Sequence, residues 1–184
     1  MSTIEALLSR VSVPRVIEPG VSSLELDLIL RAGLRACDHG RLKPYRFILL
    51  EGEARVRLGE AMSDYLYGGL VDASEDAIEA AKNKALRAPT LLSVIFCPRN
   101  HEKIPETEQV ITAGCAAQLI VTAAHMLGLG AIWRTGSAIY SEEVSRMLEL
   151  DENEQVVAMI YLGRSAGDMP SPPEVDPETF LERL

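Results

Sequence analysis

Apolar positions along the chain fall into helical and strand-like runs separated by short polar breaks. Ser2-Thr3-Ile4-Glu5 has the form of a capping box and leads into Ile4, Leu7 and Leu8, predicting a helix to about Arg10. Pro14 disfavours helix at Val13, and Pro19-Gly20 marks a turn. Ser22-Ser23-Leu24-Glu25 offers a second capping box. Leu24, Leu28 and Ala32, with Ile29 and Leu30 alongside, predict an apolar helix face reaching about Arg35. Residues 37–44 are polar and irregular, after which Tyr45-Arg46-Phe47-Ile48-Leu49-Leu50 reads as a strand. A helix is expected from Glu53 to about Tyr67, ended by Gly68-Gly69, and Ser74 caps another running through Leu86. Thr90 to Cys97 is almost continuously apolar, the pattern of a strand covered on both faces.

Glu106 opens the longest helix, to about Leu127. From Val110 to Gly130 its only titratable side chains are Cys115 and His125. That length invites a membrane-span reading. Thr112, Gln118, Thr122 and His125 interrupt it, alanine and glycine dilute its hydropathy, and Glu102, Glu106 and Glu108 precede it. We therefore expect no membrane span but a helix buried all round, with Ala113, Gly114, Ala116 and Ala117 permitting close approach by another helix. A chain of 184 residues has little interior for such a helix, and a dimer interface would supply the cover. Gly128-Leu129-Gly130 reads as a helix C-cap and turn into the short strand Ala131-Ile132-Trp133. A dinucleotide fingerprint would need the opposite order, strand then helix. Ser141 caps a helix over Glu142–Leu148, and Val156–Leu162 is a final buried strand. From about Gly163 the chain is rich in proline and acid, an extended arm on a single domain.

Composition narrows the function classes. At 47% hydrophobic and 24% charged the chain is globular, and its net charge of −9 argues against nucleic acid. Cys37, Cys97 and Cys115 are odd in number and lack CxxC spacing, which points to a reducing, cytoplasmic setting. The N-terminus shows no basic segment followed by a signal-length apolar run. Cys37-Asp38-His39 suggests a thiol nucleophile or a metal set, but adjacent side chains on extended backbone point apart. His101 and His125 show no ligand spacing to it, so no metal is expected. Arg10, Arg15, Arg35, Arg134 and Arg164 each fall at the end of an element, where ligands are met. Arg134 stands out because it follows Trp133 on a strand leaving an apolar helix.

Several segments, in register along nearly the whole chain, resemble the FMN-dependent nitroreductase family, closest to its short members. They are Arg10-x-Ser12, Arg31-Ala32-Gly33-Leu34-Arg35-Ala36-x-Asp38-His39, Lys43-Pro44-Tyr45-Arg46-Phe47, Ala113-Gly114-Cys115-Ala116, Gly128 through Gly136, and Tyr161-Leu162-Gly163. The resemblance implies an α+β fold, a mostly antiparallel sheet flanked by helices, in a homodimer with FMN at the interface. It implies that Arg10, Val11 and Ser12 meet the FMN phosphate and ribityl chain, and that Arg35 and His39 reach the flavin from the partner subunit. Trp133, Arg134 and Thr135 would lie along the isoalloxazine ring, with Arg134 stabilising its reduced form. Ala123, Ala124, His125, Met126, Leu127 and Gly128 match a region credited with NAD(P) binding. NAD(P)H would pass hydride through the flavin to an electron-poor small molecule, a nitroaromatic or quinone, in ping-pong fashion and without a dedicated protein acid or base.

Three departures from the family pattern stand out. Val11 replaces a second arginine, for which Arg15 or Arg164 would substitute. Lys43-Pro44-Tyr45 replaces Gln-Pro-Trp, and Cys37 replaces a proline. Two other readings stay open on the residues alone: a flavin carrier or sensor without turnover, and a thiol enzyme built on Cys37.

Overall fold

In chain order the protein forms α1 (Thr3–Leu8), β1 (Val16–Ile17), α2 (Ser23–Gly33), β2 (Tyr45–Leu50), α3 (Glu53–Gly68), α4 (Glu75–Lys84), β3 (Thr90–Phe96), α5 (Glu106–Met126), β4 (Gly130–Arg134), α6 (Glu142–Met147) and β5 (Gln155–Ser165). The structure, a computed structural model, describes residues 3–68 and 73–184. The predicted cap Ser2 and the predicted helix end at Gly69 lie outside the described residues. The other caps form as their sequences dictate. Ser22 and Glu25 close a capping box, while Ser74 and Ser141 each accept from the backbone N–H three residues on.

All strand pairings are antiparallel, and β5 is the hub. It pairs with β3 along one edge and with β4 and the two-residue β1 along the other, while β2 completes the sheet beside β3. Every residue of β3 is buried. Alternation then sends its side chains to two separate cores. Leu91 and Ile95 join Leu50, Leu58, Met62, Val144 and Met159 on the α3 and α6 side. Leu92, Val94 and Phe96 join Ile29, Ala117, Ile120, Ala158 and Ile160 on the α2 and α5 side. The register shift between Val94 and Ile95 admits Val157 as an extra residue opposite β3 and preserves that alternation beyond it.

The long helix α5 corrects one expectation. Its inner face is packed: Ala113, Ala116, Ala117, Ile120 and Ala124 have no accessible surface. Gly33 of α2 is what lets the two helices meet, because a Cβ there would lie 2.9 Å from Ile120. The helix is not buried all round, however. Val110 and Ile111 are 41% and 60% exposed, and Gly114 faces open space. The four alanines line the inner face, and a separate outer stripe is left uncovered. Its length and composition would suit a membrane, yet half of its most apolar window is buried against the sheet, as in a core helix.

On α2 the inward residues are Ile29, as expected, and Gly33, while Leu24 and Leu28 of the predicted face are exposed. Gly128 ends α5 as read from sequence. At φ 74° it donates to His125 O, and Leu129 reaches back to Ala124 O, a Schellman motif that turns the chain into β4. β5 continues to Ser165, beyond the predicted Leu162, because Arg164 and Ser165 pair with β1.

Candidate active site

The strand β4 leaves the Schellman turn beside β5 and ends at Arg134. Thr135-Gly136 and a 3-10 turn at Ser137–Tyr140 then bend the chain over the sheet edge. This bend forms one wall of a cavity of about 510 Å³. The facing wall comes from α3 and α4, through Met62, Tyr65, Leu66, Ala81 and Lys84, with Arg87 just beyond; Tyr161 of β5 also lines the cavity. Gly136 adopts φ 143°, a conformation that side chains rarely take. Nothing stands within 4 Å of where its Cβ would be, so bare backbone faces the cavity.

Among the described residues three cations line this space and no carboxylate does, in a chain with nine more acidic than basic residues. Among the described residues no carboxylate pairs with Lys84, Arg87 or Arg134, whereas Arg46 and Arg164 are paired elsewhere. Arg134 is held by its Nη2, which donates to Pro14 O at 3.4 Å, and by the Tyr161 ring, 5.6 Å from its guanidinium carbon. Its Nε is buried without a partner. An unsatisfied buried donor of this kind costs about 1–3 kcal/mol until a ligand or water meets it. Burial raises the pKa of the Tyr161 hydroxyl, opposed by the charges of Arg134 and Arg87.

The predicted site residues divide by location. Trp133, Arg134 and Thr135 line the cavity. Arg10, Val11 and Ser12 do not, but the chain beyond them is stitched to β4 by Val13 N–H donating to Ala131 O. Val11 is 8% exposed and packs in the core, so its side chain has nothing to offer a phosphate. Arg10 lies close to His125, whose pKa is lowered first by burial and then by the Arg10 charge. His125 Nε2 lies 3.2 Å from Ser9 Oγ, which donates to Ala6 O. Ala124, in the predicted NAD(P) stretch, is fully buried and unavailable to a cofactor. Met126 and Leu127 are exposed, and Ala123 is half-buried. None of residues 123–128 lines the cavity.

Arg35 and His39 are also outside the cavity. His39 is exposed, with Nδ1 2.7 Å from Glu108 Oε2 on α5, beside the uncovered stripe. Cys37 is exposed and forms no hydrogen bond with His39, so the described residues hold no thiol–imidazole dyad. Arg164 is no substitute phosphate ligand: it forms a two-pronged pair with Glu25 at 2.8 and 3.1 Å, which holds the Glu25 pKa down at about 2.

Met62, Tyr65, Lys84, Arg87 and Tyr161 were not legible as site residues. They come from three elements distant in sequence. Lys84 and Arg87, at the end of a helix and ahead of Pro89 and a buried strand, did carry the one available signal, cations at an element end.

A helix-flanked antiparallel sheet thus carries a cationic, aromatic cavity at the edge where β4 ends. Comparison with known proteins gives the family. Residues 17–164 match the model of the nitroreductase family, and the chain belongs to it. It is 38% identical over 165 residues to "Putative NAD(P)H nitroreductase YdjA" of Escherichia coli K12, covering 89% of this chain and 88% of that one. A Haemophilus influenzae protein, "Putative NAD(P)H nitroreductase", is 29% identical over 164 residues with the same coverage. Among solved structures, a nitroreductase-like family protein from Bacillus cereus superposes with a TM-score of 0.84 at 18% identity, over 100% of this chain and 96% of that one. A nitroreductase from Desulfovibrio desulfuricans in complex with FMN gives 0.71 at 24% identity, over 98% and 96%. These two share the fold described above.

Proposed function

We propose that the chain is an FMN-dependent oxidoreductase using NAD(P)H, and that the Trp133–Gly136 cavity is its flavin site. The observation that carries this reading is a cavity whose described lining has three cations without a carboxylate partner and a buried Arg134 Nε that no described group meets. Its aromatic and apolar lining, Trp133, Tyr65 and Tyr161, suits a planar ring. The FMN complex of the Desulfovibrio neighbour and the NAD(P)H in the relatives' names support the same choice.

Bound there, FMN supplies the redox chemistry, taking hydride from NAD(P)H and giving it to an electron-poor acceptor such as a nitroaromatic or quinone. The protein supplies binding, orientation and charge. Arg134 would offer the ring a fixed positive charge and its Nε–H, to offset the negative charge that reduction brings. Gly136 lets backbone approach the ring. Arg10 and Ser12, next to the segment stitched to β4, would take the phosphate end. No side chain is needed as a dedicated acid or base.

The working unit is a homodimer in this reading. The outer stripe of α5, with Leu24, Leu28 and Leu34 on and after α2, leaves apolar surface that a second copy would cover. Arg35 and His39 would then act on the flavin of the other subunit, which fits their absence from this chain's own cavity. Three free cysteines fit a reducing cytoplasmic setting. The test is direct. Purified protein should carry stoichiometric FMN, run as a dimer and oxidise NAD(P)H steadily with a neutral quinone. Bound flavin without turnover would make it a carrier; failure to bind FMN on reconstitution would refute the reading.

A further inference from the structure

We infer that the cavity selects an anionic aromatic acceptor, and that Arg87 is the residue that reads its negative group. The inference rests on the flavin reading above and adds the substrate class to it. Arg134 is engaged at Pro14 O and over the Tyr161 ring. Lys84 and Arg87 lie on the facing wall and have no such engagement among the described residues. They sit one turn apart, with Arg87 N–H donating to Lys84 O at 3.3 Å, so both rise from the same rim where α4 ends. Arg87 is exposed at that rim, yet its charge is felt at the buried Tyr161 hydroxyl.

Beside these cations Met62, Tyr65 and Leu66 give the cavity an apolar and aromatic lining. A ring laid against that lining puts a carboxylate or sulfonate within reach of the rim. A guanidinium meets such a group with two parallel hydrogen bonds, and a neutral amide in its place forgoes the charge. The described lining carries positive charge and no acid, which favours anions at this spot on a chain of net charge −9.

The experiment compares 4-nitrobenzoate with 4-nitrobenzamide as acceptors, using NADH as donor, in the wild type, Arg87→Ala and Arg87→Lys. Binding of benzoate and benzamide to the protein as purified is followed in parallel by the fluorescence of Trp133, the chain's one tryptophan and a cavity residue. The wild type should prefer the anion about tenfold in both kcat/KM and affinity, the value of one charge-assisted contact at a partly exposed site. Arg87→Ala should bring both ratios to about unity, and Arg87→Lys should keep part of the preference. No preference in the wild type would overturn the inference. So would an equal loss on both acceptors in Arg87→Ala. A colourless protein that still binds benzoate over benzamide through Arg87 would uphold the anion subsite and refute the flavin reading.

Discussion

Two sets of cations in this molecule look alike in sequence and differ in what surrounds them. Arg46 and Arg164 each hold a carboxylate in two-pronged contact, Glu154 at 2.7 and 2.9 Å and Glu25 at 2.8 and 3.1 Å. Lys84, Arg87 and Arg134 line a cavity without one. The paired arginines tie distant segments together, β2 to the approach of β5, and β5 to α2. The unpaired ones keep an unmet demand for negative charge or acceptor oxygens. A cation's role therefore follows from its partners, since Arg134 and Arg164 both fall at strand ends.

The largest effect that would break this contrast is expected at Arg134. Arg134→Ala should slow hydride transfer from NAD(P)H by about 100-fold, the scale of losing one preorganised charge at a reacting centre. Stopped-flow reduction at the wild-type rate would sink that role. Next comes Glu154, which accepts from Arg46 and from the buried Cys97 thiol, whose pKa is pushed up to about 12 by burial first and the carboxylate second. Glu154→Ala should cost about 1–3 kcal/mol in denaturant unfolding by leaving Arg46 unpaired, with flavin content unchanged.

Acid should act through the same paired set. The Glu154 and Glu25 pKa values are both held at about 2, against 4.5 ordinarily, chiefly by hydrogen bonds from Arg46 and Arg164. Depressed carboxylates stabilise the fold fully above about pH 4.5 and lose that contribution as pH falls towards 2. Urea midpoints measured across that window should fall in the wild type, and fall less in the Glu25→Gln/Glu154→Gln double variant. Arg164→Ala is the mildest change. At this half-buried pair it should cost about 1 kcal/mol and leave FMN affinity intact, and weakened FMN binding would return Arg164 to the phosphate site.

Much of the fold was legible because its signals are local. Ser22, Ser74 and Ser141 announce their helices, Gly128 announces the end of α5, and the unbroken apolar run at Thr90–Phe96 announces a strand between two cores. β1 was missed because two residues between Arg15 and Glu18 carry no periodicity; pairing with Arg164 and Ser165 creates it. Leu24 and Leu28 misled for a related reason: apolar spacing marks a face to be covered without saying whether the same chain covers it. The site was half legible. A tryptophan and an arginine adjacent at a strand end are visible locally, whereas the wall of Met62, Tyr65, Lys84 and Arg87 exists only once α3 and α4 fold across.

The most direct test of the central claim is an FMN titration of flavin-free protein followed by Trp133 fluorescence. One FMN per chain should quench the emission to saturation, and Arg134→Ala should weaken that binding. Emission unchanged by FMN that nonetheless binds elsewhere, or no binding at all, would contradict the assignment of the Trp133–Gly136 cavity.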